Sequence, residues 1–428
     1  MQFNEEFLHY LWKFRLFTFP LSTTAGEYIT VIHPGELNTD AGPDFFNARI
    51  TIGNTTWAGN IEIHMQSSDW LKHGHQHDNA YQSTILHIVY NDDISVKNSF
   101  GNCIPTLEVK HRIAPALFEN YQDLMMSRSE IACGKHIAQT KAIVLTNWLE
   151  KLSATRLEKK VTILQQSFEQ NKNNWEETFY QALAKNFGIG VNTLPFEMLA
   201  KSLPVKCLAK HKDNLFQIEA MLFGQAGFFE KNYNDNYPKQ LQKEYRFLSE
   251  KFALQPLGLH LWRFLRIRPD NFPTLRIAQF AALVHQSSAL FSKITTIESI
   301  HEIISLFDVH CSDYWNTHYI FDKCAAYRTK SFGKNAIILL IINTVIPFLF
   351  LYGKATGNQN LAEKAFQMLE QLPPEKNSIT KEFENLGVKI NSALQSQALL
   401  ELKICFCKQK KCLDCNIGNF LLQREQEL

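Results

Sequence analysis

The pattern of apolar positions changes once near the start of the chain. Residues 7–17 show the spacing of an amphipathic helix, with Asn4 as a candidate N-cap and Glu5 and Glu6 in the first turn, where the helix dipole favours acids. Between about residues 27 and 110, short β-rich runs are separated by turn residues. The runs are EYITVIH, FFNARITI, TWAGNIEIHM, STILHIVY and IPTLEVK. One helix followed by four or five strands is therefore predicted.

Beyond about residue 115 the strand signals nearly vanish and helical periodicity takes over. The predicted helical segments are 142–170, 176–187, 214–222, 239–252, 273–285, 295–307 and 361–372. The fold class predicted is an α/β N-terminal domain with a mixed central sheet, followed by a larger all-α region. The expected domains are residues 1–115, 116–400 and a cysteine-rich tail at 401–428.

The apolar segment 336–352 is the one membrane candidate in the sequence. Asn343 and Pro347 interrupt it, and no dense positive cluster flanks it. We expect a buried helix kinked by its proline, and no membrane span.

Charge and histidine are distributed unevenly. Residues 1–120 hold 7 Lys and Arg against 13 Asp and Glu, with 8 of the 15 histidines, whereas the rest of the chain is mildly basic. The start of the chain has acids where a signal peptide needs positive charge, and the nine cysteines show no disulfide framework. These features predict a cytoplasmic protein with reduced thiols.

The densest reactive cluster lies between residues 42 and 87. In a strand, residues two apart share a face, so Glu62 and His64 point together. With Asp44 at the start of a neighbouring strand, two carboxylates and an imidazole would meet at one sheet edge. Such a group suits Mg²⁺ or Mn²⁺, which can activate water and neutralise a phosphodiester.

The Pro-Asp at 43–44, followed after 18 residues by a carboxylate, one apolar residue and a proton-handling residue, resembles the PD-(D/E)XK nuclease superfamily. The resemblance implies a restriction-endonuclease-like αβββαβ domain, with Asp44 and Glu62 as metal ligands and His64 in the position of the usual lysine. It also implies accessory roles for Glu5 or Glu6 and for the pair His77 and Tyr81. The whole chain is more closely similar to a bacterial family without established activity, through FLHYLWKF, GPDFFNARI, EIHMQSSDW and ILHIVYND.

Two further groups of residues are candidates for binding. Cys405, Cys407, Cys412 and Cys415 have a spacing suited to a Cys₄ zinc site, with an iron–sulfur cluster as the minor alternative. The other cysteines are predicted to be isolated packing residues; they are Cys103, Cys133, Cys207, Cys311 and Cys324. Arg263 and Arg266 are predicted to share a helix face, where they could grip the phosphates of a nucleic acid or dock the helical region against the acidic first domain.

The leading hypothesis is a Mg²⁺- or Mn²⁺-dependent nuclease with Asp44, Glu62 and His64 at its centre and nucleic acid as its partner. A second hypothesis is a degenerate, non-catalytic nucleic-acid-binding or scaffold protein that retains the cysteine zinc site. A third is a zinc hydrolase built from the histidines at 73–87, of which His73, His75 and His77 alternate. Each functional group also has a structural interpretation: a solvated sheet face for Glu62 and His64, a turn for Asp44 and an interior histidine at His87. Oligomeric state is left open.

Overall fold

The computed structural model describes residues 3–287 and 289–424, and the chain divides into two compact units. One comprises Met1–Thr146 together with Lys403–Leu428, and the other is Asn147–Leu402. The first unit therefore extends past the boundary predicted at residue 115, and the cysteine-rich tail belongs to it.

A seven-stranded mixed sheet forms the centre of the first unit, in the order β1-β2-β4-β5-β6-β7 with β3 beside β4. The strands are β1 (Leu21–Ser22), β2 (Tyr28–His33), β3 (Glu36–Leu37), β4 (Phe45–Ile52), β5 (Thr55–Gln66), β6 (Thr84–Asn91) and β7 (Thr106–Glu108). The strands from β1 to β5 pair antiparallel, whereas β5, β6 and β7 pair parallel. This arrangement confirms the predicted α/β domain with a mixed sheet.

The burial of the strands follows their sequences. β4 alternates and buries Phe45, Ala48, Ile50 and Ile52, as a strand with one core face does. β6 is buried along its first six residues, which fits its nearly continuous apolar run and its parallel neighbours on both sides. The central part of the sheet, where β5 and β6 run side by side, is thus its most enclosed part.

Helices flank this sheet in sequence. They are α1 (Glu5–Lys13), α2 (Asp69–Lys72), α3 (Pro115–Met126) and, in the returning tail, Asn416–Leu422. Glu5 and Glu6 occupy the first turn of α1 as predicted, but the Asn4 side chain donates to Glu6 Oε2 at 3.1 Å and does not cap the helix. If the two-residue strands β1 and β3 are left out, the element order is α1, β2, β4, β5, α2, β6.

The second unit is helical, which confirms the predicted all-α region. Its helices include Ala142–Gln170, which begins in the first unit, then Trp175–Phe187, Thr193–Ser202, Val205–Ala209, Leu215–Gln225, Asn236–Phe252, Pro273–Gln286, Leu290–Thr296, Ile300–Leu306, Lys334–Thr356, Gln359–Gln371, Ser378–Asn385 and Ala393–Leu402. The helix predicted over 295–307 is broken, because residues 297–299 are extended or irregular. A short hairpin, β8 (His318–Ile320) with β9 (Lys323–Cys324), is an addition that the sequence pattern did not predict.

Helix Lys334–Thr356 contains the apolar segment considered above as a membrane candidate. It is long and apolar enough to cross a membrane, yet 78% of its most apolar window is buried within the protein. A π-helical turn at Ile341–Val345 precedes Pro347, so the backbone irregularity lies next to the proline. The helix therefore has the burial of a core helix in a soluble protein.

A histidine cluster on the N-terminal sheet as candidate metal site

Glu62 and His64 lie on one face of β5, as the period of a strand predicts. Both side chains are buried. The parallel neighbour β6 places His87 directly beside Glu62 in register. From there His87 Nε2 reaches His64 Nδ1 at 2.8 Å. The two strands thereby fix the orientation of the His64 ring.

The segment after β5 carries two more histidines to the same place. α2 ends at Lys72, and Gly74 then turns the chain with a left-handed φ of 77°, which favours glycine. His73 Nδ1 lies 3.1 Å from His64 Nε2, and the His75 ring stacks against the His64 ring with 5.3 Å between centroids. Tyr81 covers the other side of His75 at 3.8 Å between ring centroids.

His64, His73 and His75 each offer a ring nitrogen within 4.8 Å of the other two. Among residues 3–287 and 289–424 they form the one group of three or more His, Cys, Asp or Glu side chains this close together. His73 is exposed, so the group opens to solvent. The buried Nε2 of His75 has no hydrogen bond of normal geometry, and Glu62 Oε1 lies 3.3 Å from it.

The two predicted carboxylates lie beside this group and are linked to each other. Glu62 Oε2 accepts the Asp44 backbone N–H at 3.1 Å, and Asp44 Oδ2 accepts the Ile63 N–H at 2.8 Å. Glu62 Oε1 lies 3.5 Å from His64 Nε2 and 3.3 Å from His75 Nε2. Asp44, Glu62 and His64, which the sequence expected to meet at one sheet edge, are therefore neighbours in space.

His9, on α1, was missed by the sequence reasoning. Its Nε2 lies 3.3 Å from Asp44 Oδ2. Burial lowers the pKa of His9, but the hydrogen bond and charge of Asp44, with Glu5, outweigh burial and raise it overall. The only sequence signal was the histidine within the largely apolar run FLHYLWKF, which also contains Lys13.

The electrostatics of the site favour the neutral form of two imidazoles, those of His64 and His87. Burial, followed by the nearby rings of His87, His75 and His73, lowers the pKa of His64 to about 3. Burial also lowers the pKa of His87 to about 3. Burial raises the pKa of Glu62 to about 7, against the opposing effect of His75. Neutral imidazole is the form that binds a metal ion.

The accessory residues from the sequence divide into two groups. Glu5 adjoins the site, since its carboxylate hydrogen-bonds the backbone at Met65 and burial raises its pKa. Glu6 instead bonds Asn4, and His77 is exposed and outside the three-histidine group. Tyr81 contacts the group through His75, and burial raises the pKa of Tyr81 to about 12.

The arginine pair of the second unit differs from the prediction. Residues 262–268 form a loop between two 3₁₀ turns, and Arg266 has a left-handed φ of 60°. The predicted shared helix face of Arg263 and Arg266 is therefore wrong. Both side chains are exposed, and the Arg263 backbone is fixed on both sides by the Asn192 amide.

The family comparison matches residues 5–378. The chain belongs to the family DUF2851, described as a protein of unknown function. This confirms the resemblance to a family without established activity that was based on FLHYLWKF, GPDFFNARI, EIHMQSSDW and ILHIVYND. No curated protein and no solved structure matches the chain. The whole candidate site, from His9 to His87, lies within the part of the chain that matches DUF2851.

Proposed function

We propose that this DUF2851 chain is a metal-dependent hydrolase whose ion is held by His64, His73 and His75. The convergence of three ring nitrogens within 4.8 Å carries the proposal. A tetrahedral Zn²⁺ ion with bonds of about 2.0–2.1 Å holds its ligand atoms about 3.4 Å apart. The His64 Nε2 to His73 Nδ1 distance of 3.1 Å is close to that value.

Imidazole ligands favour a transition metal such as Zn²⁺ over Mg²⁺, which prefers oxygen. Three protein ligands with a side open to solvent are typical of catalytic zinc sites, which keep a fourth position for water. Zn²⁺ bound there would make a water molecule more acidic. The exposed edge at His73 supports an opening for substrate.

Glu62 has the position of a general base in this proposal. Its Oε1 lies 3.5 Å from His64 Nε2 and 3.3 Å from His75 Nε2. A water molecule bound to the metal at this point would be within reach of the Glu62 carboxylate. Its Oε2 is fixed by the Asp44 N–H, and His87 orients His64 from behind in the manner of an outer-shell partner. Asp44 is held in turn by Ile63 and His9.

The substrate class we propose is a phosphodiester of nucleic acid. The support is the αβββαβ order, with Pro-Asp before β4 and the acidic residue on β5, which resembles the PD-(D/E)XK nucleases. A carboxylate-bound Mg²⁺ or Mn²⁺ is the second candidate for the metal. The observation that favours this candidate is the direct linkage of Asp44, Glu62 and the Ile63 backbone.

The first experiment measures Zn²⁺ binding by calorimetry for the full chain and three variants. We expect His73→Ala and His75→Ala each to weaken binding at this site at least tenfold. His77→Ala is the matched control, because it lies in the same turn but outside the group, and it should leave the affinity unchanged. Equal affinities in all four proteins would refute the site.

The second experiment measures cleavage of single- and double-stranded DNA and RNA with Zn²⁺, Mn²⁺ or Mg²⁺. Glu62→Gln should lower the rate by about 10²–10⁴-fold while zinc remains bound. Loss of activity in His73→Ala supports the histidine site. Activity with Mg²⁺ or Mn²⁺ that survives in His73→Ala but fails in Asp44→Asn supports the carboxylate site. Metal binding with no cleavage of any nucleic acid would favour the scaffold hypothesis.

A further inference from the structure

The tail of the chain returns to the first unit and places a second group of ligand-type side chains there. Asn120 donates to the carbonyls of Leu422 and Arg424 at 3.0 Å, and the Arg424 side chain donates to Gln139 Oε1 at 2.9 Å. Lys410 Nζ donates to the carbonyls of Met125 and Ser127. The tail is therefore fixed on both sides of the turn that holds Cys133.

Cys133 is not the isolated packing residue that the sequence suggested. Its side chain is buried. It lies in a turn in which the Cys133 carbonyl accepts the N–H groups of His136 and Ile137 at 2.9 Å. Burial, with the adjacent thiols of Cys415 and Cys412, raises the pKa of Cys133 to about 12. Cys133, Cys415 and Cys412 likewise add to the effect of burial and raise the pKa of Cys407. The contacts of Lys403 with Glu130 and of Lys410 with Ser127 also bring this part of the tail beside the turn of Cys133.

The backbone of the tail folds tightly between Cys407 and Cys415. Lys410, with a left-handed φ of 53°, bends the chain, and the Lys411 N–H bonds back to the Phe406 carbonyl at 3.0 Å. The Cys415 N–H then bonds the Cys412 carbonyl at 3.3 Å. Gly418 lets the final helix approach this turn, because a Cβ there would lie 2.1 Å from the Cys412 carbonyl oxygen.

Cys405 has a different direction. Lys403–Cys407 is a helical turn of the π type. Two residues along an α-helix correspond to a rotation of about 200°, and the wider π turn gives a value near 180°. On this geometry Cys405 and Cys407 leave the turn on opposite sides, which favours Cys133 over Cys405 as the fourth ligand.

We propose that Cys133, Cys407, Cys412 and Cys415 bind a thiophilic metal centre, with Cys133 in the place that the sequence assigned to Cys405. Both a single Zn²⁺ and an iron–sulfur cluster take four thiolates. Tetrahedral Zn²⁺ with bonds of about 2.3 Å needs sulfur atoms about 3.8 Å apart. No three of these sulfurs lie within 4.8 Å of one another in residues 3–287 and 289–424, so a single ion would require the thiols to draw together.

Nearby cationic side chains fit a thiolate centre. Lys403 is buried, with its Nζ 2.9 Å from Glu130 Oε2, and it opposes the rise in the pKa of Cys407. Burial and the nearby Cys415 thiol raise the pKa of Cys412 to about 11, and Lys410 opposes that rise. A bound cation would replace the protons that burial otherwise keeps on these thiols.

The test uses the full chain purified without oxygen, with His73→Ala and His75→Ala combined so that the histidine site contributes no metal. Zinc, iron and acid-labile sulfide are measured per chain. We expect Cys133→Ser to lose the metal and Cys405→Ser to retain it. Iron with sulfide identifies a cluster, and zinc alone identifies a single ion; either result supports the ligand set.

Two results would overturn this ligand set. One is a purified protein without metal that also fails to take up added Zn²⁺ or Co²⁺. The other is loss of the metal in Cys405→Ser but not in Cys133→Ser. Because Cys133→Ser could unfold the unit, Co²⁺ is also titrated into the refolded variant. Thiolate-to-cobalt absorption of a four-sulfur site in that variant would contradict the role of Cys133, whether or not its stability falls.

Discussion

Glu219 offers the sharpest test of burial in the second unit. Its side chain is completely buried on helix Leu215–Gln225. The Tyr237 hydroxyl donates to Oε2, and the Ser312 hydroxyl donates to Oε1 at 3.0 Å. Burial nevertheless raises the pKa of Glu219 from 4.5 to about 7. Replacement by Gln keeps the shape of the side chain and removes its ionisation.

The sign and size of the effect follow from proton linkage. The folded state binds the Glu219 proton more tightly than the unfolded state, so stability is full below pH 4.5 and falls as the pH rises to about 7. A shift from 4.5 to about 7, at about 1.4 kcal/mol per unit, gives a total loss of about 3 kcal/mol. Glu219→Gln lacks this loss. The free energy of unfolding of the variant, relative to wild type, should therefore rise by about 2.5 kcal/mol between pH 5 and 8.

Urea denaturation at pH 5, 6, 7 and 8 measures this difference. Any change in hydrogen bonding caused by the amide shifts the free energy of unfolding by the same amount at every pH. The quantity to compare is therefore the dependence of the free energy of unfolding on pH. The exposed Glu230→Gln variant controls for the loss of one negative charge. A constant difference between wild type and Glu219→Gln across this range would refute the reasoning.

Three further predictions concern other positions. Gly224→Ala should destabilise the protein by about 1–3 kcal/mol, because the new Cβ would lie 2.1 Å from the Tyr245 ring. Urea denaturation measures this change, and an equally stable variant would contradict the prediction. Asn377→Ala should cost about 1 kcal/mol, since Asn377 and Thr380 form a capping box; the same assay applies, with no change as the contrary result. His87→Leu should weaken zinc binding about 10–100-fold in a chelator competition, because the hydrogen bond of 2.8 Å between His87 Nε2 and His64 Nδ1 orients the His64 ring. An unchanged zinc affinity would exclude that role for His87.

Local sequence pattern was sufficient for much of the first unit. The alternation in β4 and the apolar run of β6 predicted both strands nearly to their ends. The two-residue spacing of Glu62 and His64 correctly placed them on one face. These features depend on the backbone period alone, which a single sequence displays.

Features that depend on turns or on distant segments were not predictable in the same way. His73 and His75 meet His64 because Gly74 adopts a left-handed conformation, whereas His77, with the same spacing, stays outside. The tail reaches the turn of Cys133 only because it returns from more than 250 residues away. Arg263 and Arg266 showed a helical spacing, but the chain there forms a loop.

The first unit is completed only after the second unit has been synthesised, because its last segment is the C-terminal tail. Residues 147–402 leave the ribosome before the tail that completes it. At about 5–20 residues per second, that interval is on the order of 10–50 s. Until then Tyr10 and Asn120 lack their hydrogen-bond partners Gln423 and Leu422, so the first unit remains incomplete during this interval. A premature stop codon near the end of the gene would consequently damage the beginning of the protein.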